Sequence, residues 1–148
     1  MDYTPCAFSD SQHPHITSNA HELALTVLYE SGLQHLADRP ESFLAQPQEV
    51  QDFLGRLPVA WDETRFVSGY PGESAVLARR SGDTWYVAGI NGLDEPQTLA
   101  TDLGFIGKGK ALLFADDASG QWKIGTIDTI PSRIDCQPRG GFLLILEK

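Results

Sequence analysis

The stretch Pro58–Gly92, PVAWDETRFVSGYPGESAVLARRSGDTWYVAGING, decides the fold. It contains three short runs rich in strand-forming residues, Val59–Val67, Ser74–Arg80 and Thr84–Ile90. Turn chemistry separates them: SGYPGE over 68–73 and SGD over 81–83. The second and third runs mix β-branched, aromatic and polar residues in a way that suits a strand with one buried face. A short Gly-containing loop between such runs predicts an antiparallel hairpin. The sheet grown from this hairpin is expected to form the core.

Downstream of the hairpin the chain reads as strand after strand. Gln97–Asp102, Gly109–Ala115, Gln121–Asp128 and Phe142–Glu147 carry strand patterns, with a turn at Asp116–Gly120. Ile130–Cys136 reads as a further strand, confined by Pro131 to an edge. The run FLLILE at 142–147 is almost continuously apolar, so that strand is expected to be covered on both faces. Many short strands in about ninety residues point to an antiparallel β-sandwich.

Upstream the period changes to that of helices. Thr17, Ser18 and Asn19 are N-cap candidates, with Glu22 three residues after Asn19 as in a capping box. Ala20–Ser31 is predicted helical and Gly32 is its stop. Leu33–Asp38 reads as a helical turn, Glu41–Ala45 as a short helix opened by Pro40, and Gln48–Arg56 as another helix. The fold class is therefore mainly β: an antiparallel sandwich over residues 57–148, preceded by three or four short helices over residues 1–56. Leu23, Leu25, Val27, Leu28 and Tyr29 make the first helix more apolar than one flank of a small sandwich is expected to cover. A second copy paired through the helical segment, or residues Met1–Ile16 laid back across it, would cover the remainder.

Charge narrows the classes of partner. Twenty acidic and eleven basic residues leave a net charge of −9. Residues 1–56 hold eight acids and two bases. With so few clustered cations, neither nucleic acid nor an anionic membrane surface is an expected partner. No run of eighteen apolar residues occurs, and MDYTPCAFSDSQ lacks the basic start and apolar run of a signal peptide. Cys6 and Cys136 are expected to be free thiols, because no paired-cysteine or Cys/His metal spacing is present.

Several motifs along this plan carry a family resemblance. Trp61-Asp-Glu-Thr64, Pro71-Gly-Glu73, Ala78-Arg-Arg80 and Gly82-Asp-Thr-Trp-Tyr86 resemble the C-terminal region of glycoside hydrolase family 97. Upstream, Met1-Asp-Tyr-Thr-Pro5, His21-Glu-Leu-Ala-Leu25, Tyr29-Glu-Ser-Gly-Leu-Gln34 and Leu36-Ala-Asp38 are similar to the end of that family's catalytic barrel. After about Gly107 the likeness is to generic strand patterns. The resemblance implies calcium-dependent α-glycosidases, periplasmic or secreted, built from an N-terminal β-sandwich, a (β/α)8 barrel and a C-terminal β-sandwich. By the order of the match, the family's catalytic carboxylates and glutamate calcium ligands would lie before Met1. No residue here inherits a catalytic or calcium role, and no cofactor is expected in this chain. Asp2 and Tyr3 match a segment near the family's active-site face and are the two residues expected to touch a sugar. The implied function is that of a non-catalytic C-terminal fragment whose sandwich braces the barrel. A freestanding carbohydrate-binding or interaction module derived from such an enzyme is the second reading, with the barrel or an oligosaccharide as partner.

Other constellations read as structural. His21-Glu22 lacks the second histidine of the zinc-protease motif, because position 25 is Leu. His13, His15, His21 and His35 match no standard metal spacing. Asp62 and Glu63 are the best local carboxylate pair, but adjacent strand residues point to opposite faces and so should not converge on one ligand. Glu63 is expected to pair with Arg65. Trp61, Trp85, Tyr86 and Trp122 are expected to be core residues rather than an aromatic sugar platform. Asp116-Asp117 and Ser119-Gly120 form a turn, not a calcium loop.

Overall fold

The computed structural model describes residues 4–10 and 13–147. Three helices come first: α1 (Asn19–Leu28), α2 (Pro40–Leu44) and α3 (Gln48–Gly55). Eight strands follow: β1 (Glu63–Tyr70), β2 (Ser74–Ser81), β3 (Thr84–Asn91), β4 (Gln97–Ala100), β5 (Ala111–Asp116), β6 (Trp122–Ile127), β7 (Arg133–Cys136) and β8 (Gly141–Glu147). All strand pairs are antiparallel. The mainly β class with helices on the N-terminal side is as the sequence predicts.

The hairpin at the centre of the sequence argument is β2–β3. Ser81 faces Thr84 across a two-residue loop, Gly82-Asp83, with Gly82 at φ +59. From it the large sheet grows in the order β1-β2-β3-β8-β5-β6, while β4 and β7 pair apart from it. The sandwich is therefore lopsided, six strands against two.

Strand alternation explains how both faces of the large sheet are used. Val76, Ala78, Trp85, Val87, Phe142, Leu144 and Leu146 join Leu99, Ile134 and Cys136 of the small sheet in one apolar cluster. Ala88, Phe114, Leu143 and Ile145 face the other way and join Leu23, Val27, Val50 and Phe53 of the helices. The FLLILE run is thus covered on both faces, as its composition requires.

Where β3 and β8 pair, Gly89 lies opposite Phe142. A Cβ on Gly89 would come within 2.2 Å of the Phe142 ring, so the ring occupies the space the missing side chain leaves. The pairing is the aromatic cover of a strand glycine.

Helix α1 is capped by one of the expected residues and differs from expectation in two ways. Its N-cap is Ser18, whose Oγ accepts from His21 N at 3.1 Å. Asn19 is helical, and Glu22 instead accepts from Thr17 Oγ1 at 2.6 Å. The helix ends at Leu28 rather than Ser31, because Tyr29 is extended and Arg79 of β2 donates to Leu28 O at 3.1 Å. A strand cation here satisfies a terminal carbonyl and the helix dipole.

The apolar excess expected on α1 is covered within the chain. Leu23 and Val27 are fully buried, and Cys6 and Phe8 pack in the same cluster. The sheet takes one side of the helix, and the segment around Cys6–Phe8 is laid across it. The predicted helical turn at Leu33–Asp38 does not form. That segment runs without helical hydrogen bonds, and Ala37 N donates to Pro5 O at 3.0 Å.

Cys6 and Cys136 are both free and buried, in the two different clusters on opposite faces of the sheet. Burial pushes the Cys6 thiol far up, and pushes Cys136 up to about 12. A thiol so far from ionising is a poor nucleophile. The native chain should therefore react with fewer than one equivalent of a thiol-disulfide reagent at pH 8. Two equivalents should react once denaturant is added. Rapid labelling without denaturant would contradict the buried placement.

Candidate functional site: the seam between helices and sheet

The polar chemistry of this chain is concentrated where the helical segment meets the sheet. At the start of α1, the Asp116 carboxylate at the end of β5 accepts from Ser18 Oγ at 2.5 Å, Ala20 N at 3.2 Å and Gly141 N at 3.3 Å. Asp116 is nearly buried. Burial raises its pKa, and the bonds from Ser18, Ala20 and Gly141 and the nearby His21 offset only part of that rise. His21 is held by Gly140 O at 3.2 Å, and burial lowers its pKa. Serine, histidine and aspartate are all present, yet they are not a catalytic triad. In a triad the histidine lies between the other two. Here the hydroxyl bonds the carboxylate, which serves as anion and acceptor at a helix N-terminus.

At the other end of α1, Arg79 is 4% exposed. It bonds Leu28 O and lies 5.6 Å from the Trp61 ring. Its Nη1 is 3.7 Å from Glu30, an ion pair too long for a hydrogen bond, and Nε also lacks a protein partner. Burial lowers its pKa, and Glu30 opposes the shift.

A third tie joins the early segment to α2. Asp38 accepts from Phe8 N and Ser9 N, both at 2.7 Å, from Ser9 Oγ at 2.8 Å, from Arg39 N at 2.7 Å and from Ser42 Oγ at 2.9 Å. Desolvation would raise its pKa, but these donors outweigh it and hold the carboxyl well below the usual range. A fourth tie runs from Trp122 Nε1 of β6 to Gln46 Oε1 at 3.0 Å, between α2 and α3.

The carboxylate pair is structural, but its geometry corrects one expectation. Glu63 bonds Arg65 at 2.6 Å as predicted. Asp62 and Glu63 nevertheless converge on one group, Arg80, at 3.4 and 3.5 Å. Asp62 precedes the strand, so strand alternation does not govern it, and the long guanidinium reaches both. Asp62 also accepts from Gly82 N at 2.8 Å, closing the hairpin loop. The hydrogen bond from Arg65 leads the groups that keep Glu63 below its ordinary pKa. That is the reverse of what a general acid needs.

The aromatic residues do not form a platform. Trp85 is buried on the small-sheet side, whereas Trp61, Tyr86 and Trp122 pack on the helix side. Trp61 meets Tyr86 edge-on at 5.4 Å. A cleft of about 640 Å³ opens between the loops after β4 and β6. Asp102, Leu103, Lys108, Asp128 and Ile130 contribute to its lining, which includes no aromatic ring.

His15 pairs with Asp10 at 2.9 Å and bonds Ala7 O, while His21 lies at the α1 cap. Among the described residues, no three His, Cys, Asp or Glu side chains come together in a way that could hold a metal ion. Asp117 closes the β5–β6 turn through Ser119 and Gln121. Asp2 and Tyr3, the expected sugar contacts, lie outside the described residues.

Two seam residues escaped the sequence reading. Asp116 looks like half of a turn dipeptide, and its helix partner is 98 positions away. Arg79 looks like one of two basic residues at a strand end.

Comparison with known proteins agrees with this arrangement. The family profile described as "Glycosyl-hydrolase 97 C-terminal, oligomerisation" matches residues 60–147, well beyond Gly107 where the motif likeness fades. A probable retaining alpha-galactosidase of Streptomyces bingchenggensis is 56% identical over 89 residues, covering 60% of this chain and 14% of that protein. A retaining alpha-galactosidase of Bacteroides thetaiotaomicron is 34% identical over 117 residues, covering 78% of this chain and 17% of that protein. The crystal structure of a beta-arabinopyranosidase superposes with a TM-score of 0.83 at 37% identity, over 92% of this chain and 22% of that one. The chain therefore spans about a sixth of the length of the curated relatives it matches.

Proposed function

The chain belongs to the C-terminal domain family of the family 97 glycoside hydrolases, and from that premise we propose that it serves such an α-glycosidase as a non-catalytic brace. The observation that carries this reading is the seam. Helices α1 and α3, which we take as the end of the family's barrel, share one apolar cluster with the sheet. Buried polar ties then fix both ends of α1 to strands β5 and β2. An interface of this kind holds a neighbouring domain in one orientation. It offers no acid–base pair for bond cleavage: Asp62 and Glu63 are tied up in ion pairs with Arg80 and Arg65, and Asp116 is filled by three donors. The activity supported lies in the larger enzyme: hydrolysis of α-glycosidic bonds in oligosaccharides.

The purified chain should release no nitrophenol from p-nitrophenyl α-galactoside or α-glucoside, with or without added calcium. Turnover that survives repurification and is abolished by Asp62→Asn or Glu63→Gln would overturn the assignment. The family is described as an oligomerisation domain, and the proposal extends to self-association of this chain as a homodimer.

A further inference from the structure

We infer that the surface for this self-association is the free edge of strand β1, docked against the same edge of a second copy; the inference rests on the self-association reading above. The distribution of exposed apolar side chains points there. Within the family-matched residues 60–147, the exposed large hydrophobic residues among those described are Phe66 at 68%, Tyr70 at 67% and Phe105 at 37%. All three belong to one place. Phe66 and Tyr70 are on β1, and the Phe105 ring lies 4.5 Å beneath the guanidinium of Arg65, also on β1.

The sheet has two edges, β1 and β6. They are built differently. Strand β6 turns Trp122 and Ile124 to the helices and exposes Lys123, a charge of the kind that guards edges. Strand β1 contains neither Lys nor Pro. Its one acid and one base, Glu63 and Arg65, already bond each other at 2.6 Å, so no unmatched charge opposes self-docking.

The bulge in β1 shapes the edge further. The register jumps between Phe66 and Ser68, so that Phe66 faces Leu77 and Tyr70 faces Ser74. Those partners are three apart on β2 and point to opposite faces. Phe66 and Tyr70 are four apart in sequence and on an unbulged strand would share one face. With the bulge, the edge carries one aromatic ring on each side of the sheet. Ser68 Oγ pins the bulge to Ala100 O of β4 at 2.6 Å. A strand entering between the rings meets unpaired backbone groups at the edge and apolar cover on both faces. A second β1 fits because it brings the same two rings, and a two-fold contact uses the same patch on both copies.

The test is light scattering on the whole chain at micromolar concentration, with thermal unfolding as the control for folding. Wild type is expected at twice the chain mass. Phe66→Glu and Tyr70→Glu are expected at monomer mass and still melt in one cooperative transition, while Leu44→Glu, on exposed helix α2, remains dimeric. Dimers that survive both β1 substitutions but not Leu44→Glu would place the contact on the helical segment. That outcome overturns this inference and leaves self-association standing. A monomeric wild type would remove both. If the glutamate variants fail to fold, Phe66→Cys treated with a bifunctional maleimide should give a covalent dimer, because Cys6 and Cys136 are buried. No cross-linked species would overturn the inference.

Discussion

Gly141→Ala should destabilise the chain by about 3 kcal/mol, the upper end for adding one methyl to a packed interior. For a chain of this size that is a fall of roughly 10 °C in melting temperature. The reason is backbone, not side chain. A Cβ at position 141 would sit 2.7 Å from His21 Cα, 2.9 Å from Gly89 O and 3.0 Å from His21 N. None of these atoms can rotate aside. Either α1 lifts from the sheet or β8 shifts against β3, and both disturb the seam. Gly125→Ala on β6 is the matched control, since a Cβ there meets nothing within 4 Å. Equal melting temperatures for the two variants, measured by circular dichroism, would show that α1 is not held against β8 at this distance.

Asp116→Ala should cost about as much, roughly 2–4 kcal/mol. Its removal strands three donors, Ser18 Oγ, Ala20 N and Gly141 N, in a largely buried place. It also takes an anion from the start of a helix. Asp116→Asn should recover little, because one of its two oxygens becomes an N–H₂ facing donors. The pH dependence has a definite sign. Burial sets the folded pKa of Asp116 above its unfolded value. Its contribution is therefore fully present below the unfolded value, about 3.9, and declines as pH rises through the folded one. The gap in stability between wild type and Asp116→Ala should widen as the pH is lowered from 7 towards 4. A gap that narrows over that range, in urea titrations at each pH, would contradict a buried carboxyl at this cap.

The strands were legible because their cues are local. Gly82-Asp83 marks the hairpin, Pro131 delays β7 to Arg133, and the unbroken FLLILE run announces a strand with two covered faces. Helix positions were legible for the same reason, through Pro40 and the apolar spacing of Leu23 and Val27. The ends of α1 were not. Its start depends on Asp116 and its finish on Arg79, and neither lies near it in sequence. A helix read by itself shows its apolar residues but not what covers them, so α1 looked underpartnered while Cys6, Phe8 and the sheet already enclosed it. The carboxylate pair misled for a related reason. Alternation applies within a strand, and whether Asp62 lies inside β1 or just before it is decided by pairing with β2.

The place of β8 in the sheet has a consequence for synthesis on the ribosome. In chain order it is the eighth strand, yet in space it lies between β3 and β5. Until it is free to pair, the earlier chain can assemble β1–β2–β3 and the β5–β6 hairpin, but no strand is present to join them. Each piece then presents an open inner edge with the apolar side chains of β3 or β5 beside it. Those edges are open to pairing with other nascent chains, and the exposure ends when Phe142–Leu146 inserts between them. The same insertion brings Gly141 N to Asp116 and Gly140 O to His21, so docking of α1 is completed in the step that closes the sheet.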